Sequence, residues 1–241
     1  MRILDQMAPR TIDLEGVRLG LRCWGDEHDD APLLLLHSLG EESSSWEPIA
    51  EELATTHRVV ALDLRGHGDS DRAPSYSLEL MRDDIRAVMD RLDLRDVCII
   101  GHSLGGMVGY LVAMSGGTRL TRLVLEEAPP PLPSIPAREP PPAPEGDPGF
   151  DWKAVADLYA QRNNPGPTWW NELEQIEIPV LVVAGGPSSH IDQPKTQEMA
   201  TRMPKARYVS IDAGHDVHTR KPREFVAVIE DFLSTGTTTT R

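Results

Sequence analysis

The chain has few cysteines, few aromatic residues and a shortage of positive charge. Of its 241 residues only two are cysteine and 5% are aromatic, and 24 Lys and Arg residues face 38 Asp and Glu residues, for a formal net charge of −14. This negative charge argues against nucleic acid and anionic membrane surfaces as partners. Cys23 and Cys98 fall in predicted strands, where we expect small buried hydrophobic residues and neither a disulfide nor a metal site.

Long apolar runs and cofactor motifs are also missing. No stretch approaches the ~18 apolar residues of a membrane-spanning helix, and residues 1–6 contain no hydrophobic signal-peptide region. We therefore expect a cytoplasmic protein without membrane association. No metal motif, Walker loop or dinucleotide-binding Gly-x-Gly-x-x-Gly is present, since Gly-His-Gly at 66–68 is too short. We expect a small-molecule substrate and no cofactor, and composition leaves the oligomeric state open.

Short apolar runs alternate with amphipathic segments along the chain. This alternation predicts an α/β fold, in which helices cover both faces of a mostly parallel sheet. Eight strands are predicted, the first two as a hairpin, at residues 11–15, 17–24, 32–37, 58–63, 96–100, 120–125, 179–184 and 206–211. Helical spacing of apolar residues predicts helices at 46–55, 78–92, 194–203 and 225–233.

One stretch interrupts the alternation. Ten of the twenty residues from 129 to 148 are proline, and three of the chain's five tryptophans follow by residue 170. Proline cannot continue a helix or a central strand, so this stretch must leave the sheet. We predict that residues 129–174 form a small lid, with one helix near 152–162, inserted into an α/β core made of residues 1–128 and 175–234. Residues 235–241 are expected to be a disordered tail.

Residues 98–106, Cys-Ile-Ile-Gly-His-Ser-Leu-Gly-Gly, are the most informative part of the chain. A short β-branched run leads into Gly-His-Ser-Leu-Gly, and helix-forming sequence follows at once. A serine at the apex of such a strand-to-helix turn has strained backbone geometry, and its hydroxyl projects into a cleft. Glycine is needed two residues before and after it because a Cβ there would collide with the neighbouring strand or helix. We therefore predict Ser103 as a nucleophile.

Three further motifs accompany this turn. They are His-Ser-Leu-Gly at 37–40 with Trp46 beyond it, Asp-Leu-Arg-Gly-His-Gly-Asp-Ser at 63–70, and Ala-Gly-His at 213–215. On these motifs the chain resembles the α/β-hydrolase family over nearly its whole length. The resemblance implies catalytic residues in the order serine, acid and histidine along the chain.

The resemblance places the catalytic base in the loop after the last strand, at His215. A serine hydroxyl without such a base is a poor nucleophile at neutral pH. His218 is the nearby rival, but it stands where the next helix begins, and we expect it to pack or to face solvent. His102 is expected to point away from the cleft. The other histidines are expected to orient the oxyanion loop (His37), to support a turn (His67) or to lie on the surface (His28, His57 and His190).

The acid departs from the family's common pattern. Most members carry an aspartate after the penultimate strand, but residues 185–192 read Gly-Gly-Pro-Ser-Ser-His-Ile-Asp, with serine at that place. Asp192 comes several residues late, where a helix N-cap explains it. Some members, the haloalkane dehalogenases among them, carry the acid at the end of the sixth strand, and here Glu126 and Glu127 stand there. We predict Glu127 as the acid, with Glu126 as the second candidate and Asp192 as the third. The alternative is that the two glutamates are simply a strand end exposed to solvent.

The resemblance also implies an oxyanion site made by the backbone amides of Leu39 and Leu104. Backbone donors suit this task because they are fixed before the reaction begins. The family commonly has His-Gly where this chain has His37-Ser38, and serine adopts glycine-like backbone angles less freely. The predicted substrate pocket consists of His37, Ser38, Trp46, Met107, Trp152, Trp169 and Trp170.

A serine nucleophile in place of an aspartate argues against dehalogenase and epoxide-hydrolase chemistry. The resemblance implies a serine hydrolase that forms an acyl-enzyme on Ser103 from a small, apolar ester, lactone or thioester. Two alternatives stay open. One is a non-hydrolytic enzyme, such as a lyase or a cofactor-free cyclase or oxygenase, in which Ser103 and His215 move protons. The other is a binding protein with a vestigial triad.

Overall fold

The computed structural model describes residues 10–26, 28 and 31–235, and within them eight strands form one sheet. The strands are β1 (Arg10–Leu14), β2 (Val17–Trp24), β3 (Leu33–Leu36), β4 (Val59–Leu62), β5 (Val97–His102), β6 (Leu120–Glu126), β7 (Val180–Ala184) and β8 (Ala206–Ser210). Their order is β1-β2-β4-β3-β5-β6-β7-β8, with β2 antiparallel to both neighbours and the other pairs parallel. The predicted mostly parallel, eight-stranded α/β sheet is confirmed.

Helices cover both faces of this sheet. They are α1 (Glu47–Leu53), α2 (Leu78–Arg91), α3 (Leu104–Met114), α4 (Lys153–Asn163), α5 (Trp169–Glu172), α6 (Gln193–Arg202), α7 (Val217–Arg220) and α8 (Pro222–Ser234), with short 3-10 helices at Ser43–Trp46, Leu173–Gln175 and Gly186–Ser188. Buried residues of α2, α3 and α6 pack on one face, and those of α1, α7 and α8 pack on the other. None of the described helices is long and apolar enough to cross a membrane.

The central strands are apolar on both sides, which is why both faces need helices. All four leucines of β3 are fully buried. Leu34 and Leu36 contribute to one hydrophobic cluster, and Leu33 and Leu35 contribute to the other. Side chains alternate across a strand, so a strand buried on both faces is apolar at every position.

The carboxyl ends of the parallel strands meet at one edge of the sheet and place the candidate site there. β5 and β6 run further than the sequence predicts, because their pairing continues to His102 opposite Glu126. Glu126 therefore belongs to the sheet, and Glu127 is the first residue beyond it. Its amide continues the pairing toward β7, donating to the Val183 carbonyl over 2.9 Å.

Residues 129–174 leave the sheet between β6 and β7 and are called the insertion here. Residues 129–149 contain no helix or strand, and α4 then packs Ala154 and Leu158 into the main core. Side chains of the insertion also bind the segment before α2, since Asp151 accepts from the Tyr76 hydroxyl over 2.6 Å. The insertion is thus fixed to the core, while its action as a lid stays a prediction. The predicted tail lies, from residue 236 on, outside the described residues.

Candidate active site

Ser103 lies in the sharp turn between β5 and α3. Its backbone angles are φ 48° and ψ −104°, a strained conformation that costs roughly 1–3 kcal/mol and clusters at functional sites. The turn needs its glycines: a Cβ on Gly101 would stand 2.4 Å from the Gly105 carbonyl oxygen, and one on Gly105 would stand 2.1 Å from that of Leu36. The sequence therefore folds the serine into the geometry that the motif predicts.

The Ser103 side chain opens on a narrow cavity of about 30 Å³. Its walls are formed by Leu39, Leu78, Leu104, Met107, Pro129, Leu158, Tyr159 and Arg162. A broader cleft of about 520 Å³ adjoins this cavity, and the two share Pro129 and Arg162. Met107 thus lies on the cavity wall, where the sequence predicts it.

The four tryptophans predicted for the pocket are not among the residues that line this cavity. Trp46 is fully buried and stacks on the His218 ring with centroids 4.3 Å apart. Trp152 packs against Phe150. Trp169 is buried in the main hydrophobic cluster, and Trp170 packs against that cluster under the Arg202 guanidinium. Large apolar rings serve packing at these positions.

The loop at residues 37–41 is held by His37. Its Nε2 accepts a hydrogen bond from the Leu64 amide over 2.9 Å, so the proton lies on Nδ1, which faces the Ser38 carbonyl at 2.7 Å. Burial lowers the pKa of His37, which keeps the ring neutral. Gly40 supplies the positive φ of 84° in this loop, and Ser38 does not have a positive φ. The serine therefore replaces the family's glycine without left-handed strain.

Two residues that line the cavity have backbone amides without an acceptor among the described residues. Neither the Leu39 nor the Leu104 amide donates a hydrogen bond within the part of the chain that the structure describes. Leu104 is the first residue of α3, and the first amides of a helix have no acceptor inside it. Leu39 and Leu104 line the same cavity as Ser103.

His215 and Glu127 form what we call the outer pair. The Nδ1 atom of His215 lies 3.3 Å from Oε2 of Glu127. The imidazole is 18% exposed, whereas the carboxylate has no exposed surface. Gly214 precedes the imidazole with a positive φ of 74°, and its amide donates to the Gly185 carbonyl over 2.9 Å. The loop after β8 is therefore tied to the end of β7.

Several donors converge on the Glu127 carboxylate. Oε1 accepts hydrogen bonds from the Gly185 amide over 2.5 Å and from Gln193 Nε2 over 3.0 Å, and Oε2 accepts one from the Ser189 hydroxyl. Burial opposes ionisation of Glu127, but the hydrogen bonds from His215 and these donors outweigh it and hold its pKa below the usual value. Glu127 is therefore a carboxylate at neutral pH.

Glu126 and His218 form a second pair, which we call the inner pair. Nδ1 of His218 lies 2.8 Å from Oε2 of Glu126, and the His218 amide donates to Oε1 over 2.8 Å. Both side chains are fully buried. Burial raises the pKa of Glu126, but the charges of His218 and His102 outweigh it and leave the pKa lowered. His218 thus packs and does not face solvent.

His102 connects the inner pair to the loops around the cavity. Its Nε2 donates to the His215 carbonyl over 2.8 Å, and its Nδ1 lies 3.3 Å from Oε2 of Glu41. Burial lowers the pKa of His102, but Glu126 and Glu41 outweigh it and raise the pKa to about 9. Glu41 Oε2 also accepts from the Ser38 amide over 3.1 Å. The nucleophile turn, the oxyanion loop and the base loop are therefore linked through one cationic imidazole.

His102, Glu126 and His218 also form a cluster whose possible ligand atoms lie within 4.8 Å of one another. Both nitrogens of His102 already make hydrogen bonds to other groups. His102 therefore has no free nitrogen to bind a metal ion, and only Glu126 and His218 are left as ligands. The cluster fits a network of buried charges better than a metal site.

Two further predictions concern Asp192 and the distance between Ser103 and His215. Asp192 is exposed and caps α6, accepting from the Lys195 amide over 3.0 Å. Within the described residues, no hydrogen bond joins the Ser103 hydroxyl to His215. Such bonds are often long in a free enzyme and tighten when substrate binds. The structure thus brings Glu127 to His215 and leaves Asp192 apart from it.

Comparison with known proteins agrees with this architecture. Residues 33–228 match the model of the alpha/beta hydrolase family. The chain belongs to this family. It is similar to the mouse (Mus musculus) sn-1-specific diacylglycerol lipase ABHD11, with 25% identity over 247 residues that cover 84% of this chain and 80% of the lipase.

An esterase and a solved structure extend the comparison. Esterase YbfF of Escherichia coli (strain K12) is 23% identical over 247 residues, which cover 87% of this chain and 95% of the esterase. The enol-lactonase crystal structure from Burkholderia xenovorans LB400 superimposes with a TM-score of 0.79 at 24% identity, covering 93% of this chain and 99% of the lactonase. These similarities support a hydrolase in general, and the lactonase similarity concerns the fold alone.

Three features of this alpha/beta hydrolase were not anticipated from the sequence. Ser189 stands near the family's usual acid position and donates to Glu127. His190 was expected on the surface, and it is exposed, yet its ring lies 4.3 Å from that of His215. Arg162 lies on the cavity wall. The serine that stands in place of an aspartate could have indicated the contact of Ser189 with Glu127. Nothing in the local sequence indicates the positions of His190 and Arg162.

Proposed function

We propose that this protein is a serine hydrolase that cleaves a small carboxylic ester, lactone or thioester through an acyl-enzyme on Ser103. One observation carries the proposal. The strained Ser103 lines a narrow cavity with Leu39 and Leu104, whose amides have no acceptor among the described residues, and a buried carboxylate holds a histidine at the same edge of the sheet. A merely structural glycine turn needs none of these accompanying features.

In the proposed mechanism Ser103 Oγ attacks the carbonyl carbon while Nε2 of His215 takes the hydroxyl proton. Glu127 holds the proton on Nδ1 and stabilises the imidazolium that forms. The amides of Leu39 and Leu104 donate to the oxyanion, a contribution of about 10²–10³ in rate for each such donor. The imidazolium then protonates the leaving group. Water, deprotonated by the same imidazole, hydrolyses the acyl-enzyme and frees Ser103.

The cavity supports a small acyl or alcohol group. Leucine and methionine side chains form much of its wall, so apolar parts of a substrate gain free energy by leaving water there. We propose that residues 129–174 act as the lid of this cavity, because Pro129, Leu158 and Tyr159 contribute to its wall. Replacing residues 131–168 by a short Gly-Ser loop should change the preference among esters, and unchanged kinetics would contradict the lid.

Intact mass spectrometry tests the proposed nucleophile. Wild type, Ser103→Ala and the control Ser115→Ala are each treated with an alkyl phosphonate and with a chromogenic short-chain ester. We expect a single phosphonyl adduct and ester turnover in wild type and Ser115→Ala, and neither in Ser103→Ala. Turnover of a substrate without a trapped intermediate would favour a non-hydrolytic enzyme. Binding without turnover would favour a vestigial triad.

A further inference from the structure

Arg162 is an unexpected residue in the wall of the Ser103 cavity. It lies in the last turn of α4, half-buried, and lines both the cavity and the broader cleft next to it. Its guanidinium makes no hydrogen bond or ion pair with any residue that the structure describes. Among the described residues, Arg162 is the one cationic side chain that lines this cavity, and none of them supplies a counter-ion.

The chain is acidic, with 38 Asp and Glu residues against 24 Lys and Arg residues. A carboxylate counter-ion for Arg162 is therefore easy to supply from this sequence. Burial is the main cause that lowers the pKa of Arg162, and the charge of Arg138 lowers it further. Arginine nevertheless stays protonated in proteins. A partly buried charge without a partner is unfavourable, so the fold bears a cost at this position.

The surroundings of Arg162 are cationic and rich in donors. Arg138 lies on the adjoining cleft, and its charge and that of Arg162 both act on His190. The Tyr110 hydroxyl is fully buried, has no hydrogen-bond partner among the described residues and senses the Arg162 charge. Tyr159 contributes to the cavity wall beside Arg162. These groups present hydrogen-bond donors and positive charge. Among the described residues that line the cleft the one acidic side chain is Asp192, which accepts a hydrogen bond from the Lys195 amide.

A structural explanation accounts for only part of this arrangement. A cation in the last turn of a helix interacts favourably with the helix dipole, and α4 ends at Asn163. The dipole would favour an arginine in open solvent equally well. It does not explain why Arg162 lines the same cavity as Ser103.

We propose that the substrate of this enzyme carries a carboxylate, which Arg162 binds while the scissile carbonyl lies at Ser103. The inference rests on the proposed hydrolase function and names its substrate class, namely esters, lactones or thioesters with a second, ionised carboxyl group. The planar guanidinium matches a carboxylate with two parallel hydrogen bonds. The apolar wall then holds the chain between the two carbonyl carbons, and Arg138 adds positive potential at the entrance.

Matched substrate pairs test this assignment. Monoethyl esters of glutarate, adipate and pimelate are compared with the corresponding ethyl esters whose far end is a carboxamide, and released ethanol is measured by NMR. A second arm compares 4-acetoxybutanoate with 4-acetoxybutanamide, which moves the carboxylate to the alcohol side. In at least one arm, we expect wild type to prefer the carboxylate by about 10- to 100-fold in kcat/KM, the usual value of a charge-assisted hydrogen bond.

Variants assign the preference to the guanidinium. Arg162→Met should abolish the preference by raising KM for the carboxylate substrate, so that the ratio of kcat/KM for the carboxylate to kcat/KM for the carboxamide falls to about one. Arg162→Lys should retain part of it, since charge remains but the two-point contact is lost. Arg223→Met is the control, because this exposed arginine of α8 lies on the opposite face of the sheet and its loss changes net charge equally.

Binding to Ser103→Ala separates this inference from the hydrolase proposal. Calorimetry with adipate and with neutral adipamide should show binding of adipate only, and Arg162→Met in the same background should remove it. Adipate binding together with no ester turnover by the wild-type protein would support the anion site and overturn the hydrolase. Equal turnover of carboxylate and carboxamide substrates, with no adipate binding, would overturn the anion site and leave the hydrolase intact.

Discussion

The outer and inner pairs each join one of two consecutive glutamates at the end of β6 to a histidine after β8, yet their environments differ. In the outer pair the imidazole is 18% exposed, and in the inner pair both side chains have no exposed surface. Glu127 is supported by neutral donors from the loop at 185–193, whereas Glu126 lies against the charge of His102. Sequence spacing alone therefore does not tell a candidate catalytic pair from a buried structural one.

The difference has a topological cause. Glu126 is the last residue of β6, whereas Glu127 lies beyond the strand and is not bound by its side-chain alternation. Glu127 adopts a positive φ of 49°, which turns it toward the loop that carries His215. Glu126 stays in register with His102 and meets His218 on the side of Trp46. We infer that the outer pair serves chemistry and the inner pair serves the fold.

Leucine substitution of the two histidines gives the largest contrast. His215→Leu should lower kcat for any ester that wild type hydrolyses by about 10⁵–10⁶, because triad members act as a unit, with little change in stability. His218→Leu should instead reduce the free energy of unfolding by about 3–5 kcal/mol, since a buried carboxylate loses its partner. Urea unfolding and kcat per folded molecule measure both. Equal losses of kcat in the two variants would contradict the distinction.

Glutamine substitution of Glu127 and Glu126 compares the two pairs through their carboxylates. Glu127→Gln should lower kcat by about 10³–10⁴, since the imidazole loses its counter-charge and its oriented tautomer. Glu126→Gln should have an intermediate kcat and a lower unfolding midpoint, because His102 and His218 then face no buried anion. Asp192→Asn serves as the control and should keep most activity. If Asp192→Asn were the inactive variant, the acid would belong to the loop after β7.

The fold was predictable because its signals are local, and the outer pair was predictable in part. Apolar runs such as Leu33–Leu36 and the glycines around Ser103 indicate strands and the serine turn without knowledge of distant residues. The choice of Glu127 as acid remains a prediction that its contact with His215 supports. The charge on His102 could not be predicted, because it depends on carboxylates that lie 61 and 24 residues away in the chain.

The pH dependence of stability tests the charge of His102, which lies next to the inner pair, with a smaller effect. The pKa of His102 is about 9 in the folded protein and about 6.5 in an unfolded chain. Protonation of His102 therefore stabilises the fold fully below pH 6.5, by about 3 kcal/mol, and this stabilisation is lost as the pH rises through 9. Urea unfolding at pH 6.5, 8 and 9.5 should show a steeper decline for wild type than for His102→Gln. Parallel declines would mean that His102 is neutral.

The finest test of the outer pair uses two adjacent serines. The Ser189 hydroxyl donates to Glu127, whereas the Ser188 hydroxyl donates to the exposed Asp212 over 2.9 Å. Ser189→Ala should lower kcat about tenfold with KM unchanged, the usual loss for one hydrogen bond to a charged group, and Ser189→Thr should restore it. Because this bond helps to depress the pKa of Glu127, the carboxyl carbon of Glu127 should titrate at higher pH in Ser189→Ala by ¹³C NMR. Ser188→Ala should leave kcat and that titration unchanged, and equal effects of the two substitutions would show that the loop acts through general packing and not through the carboxylate.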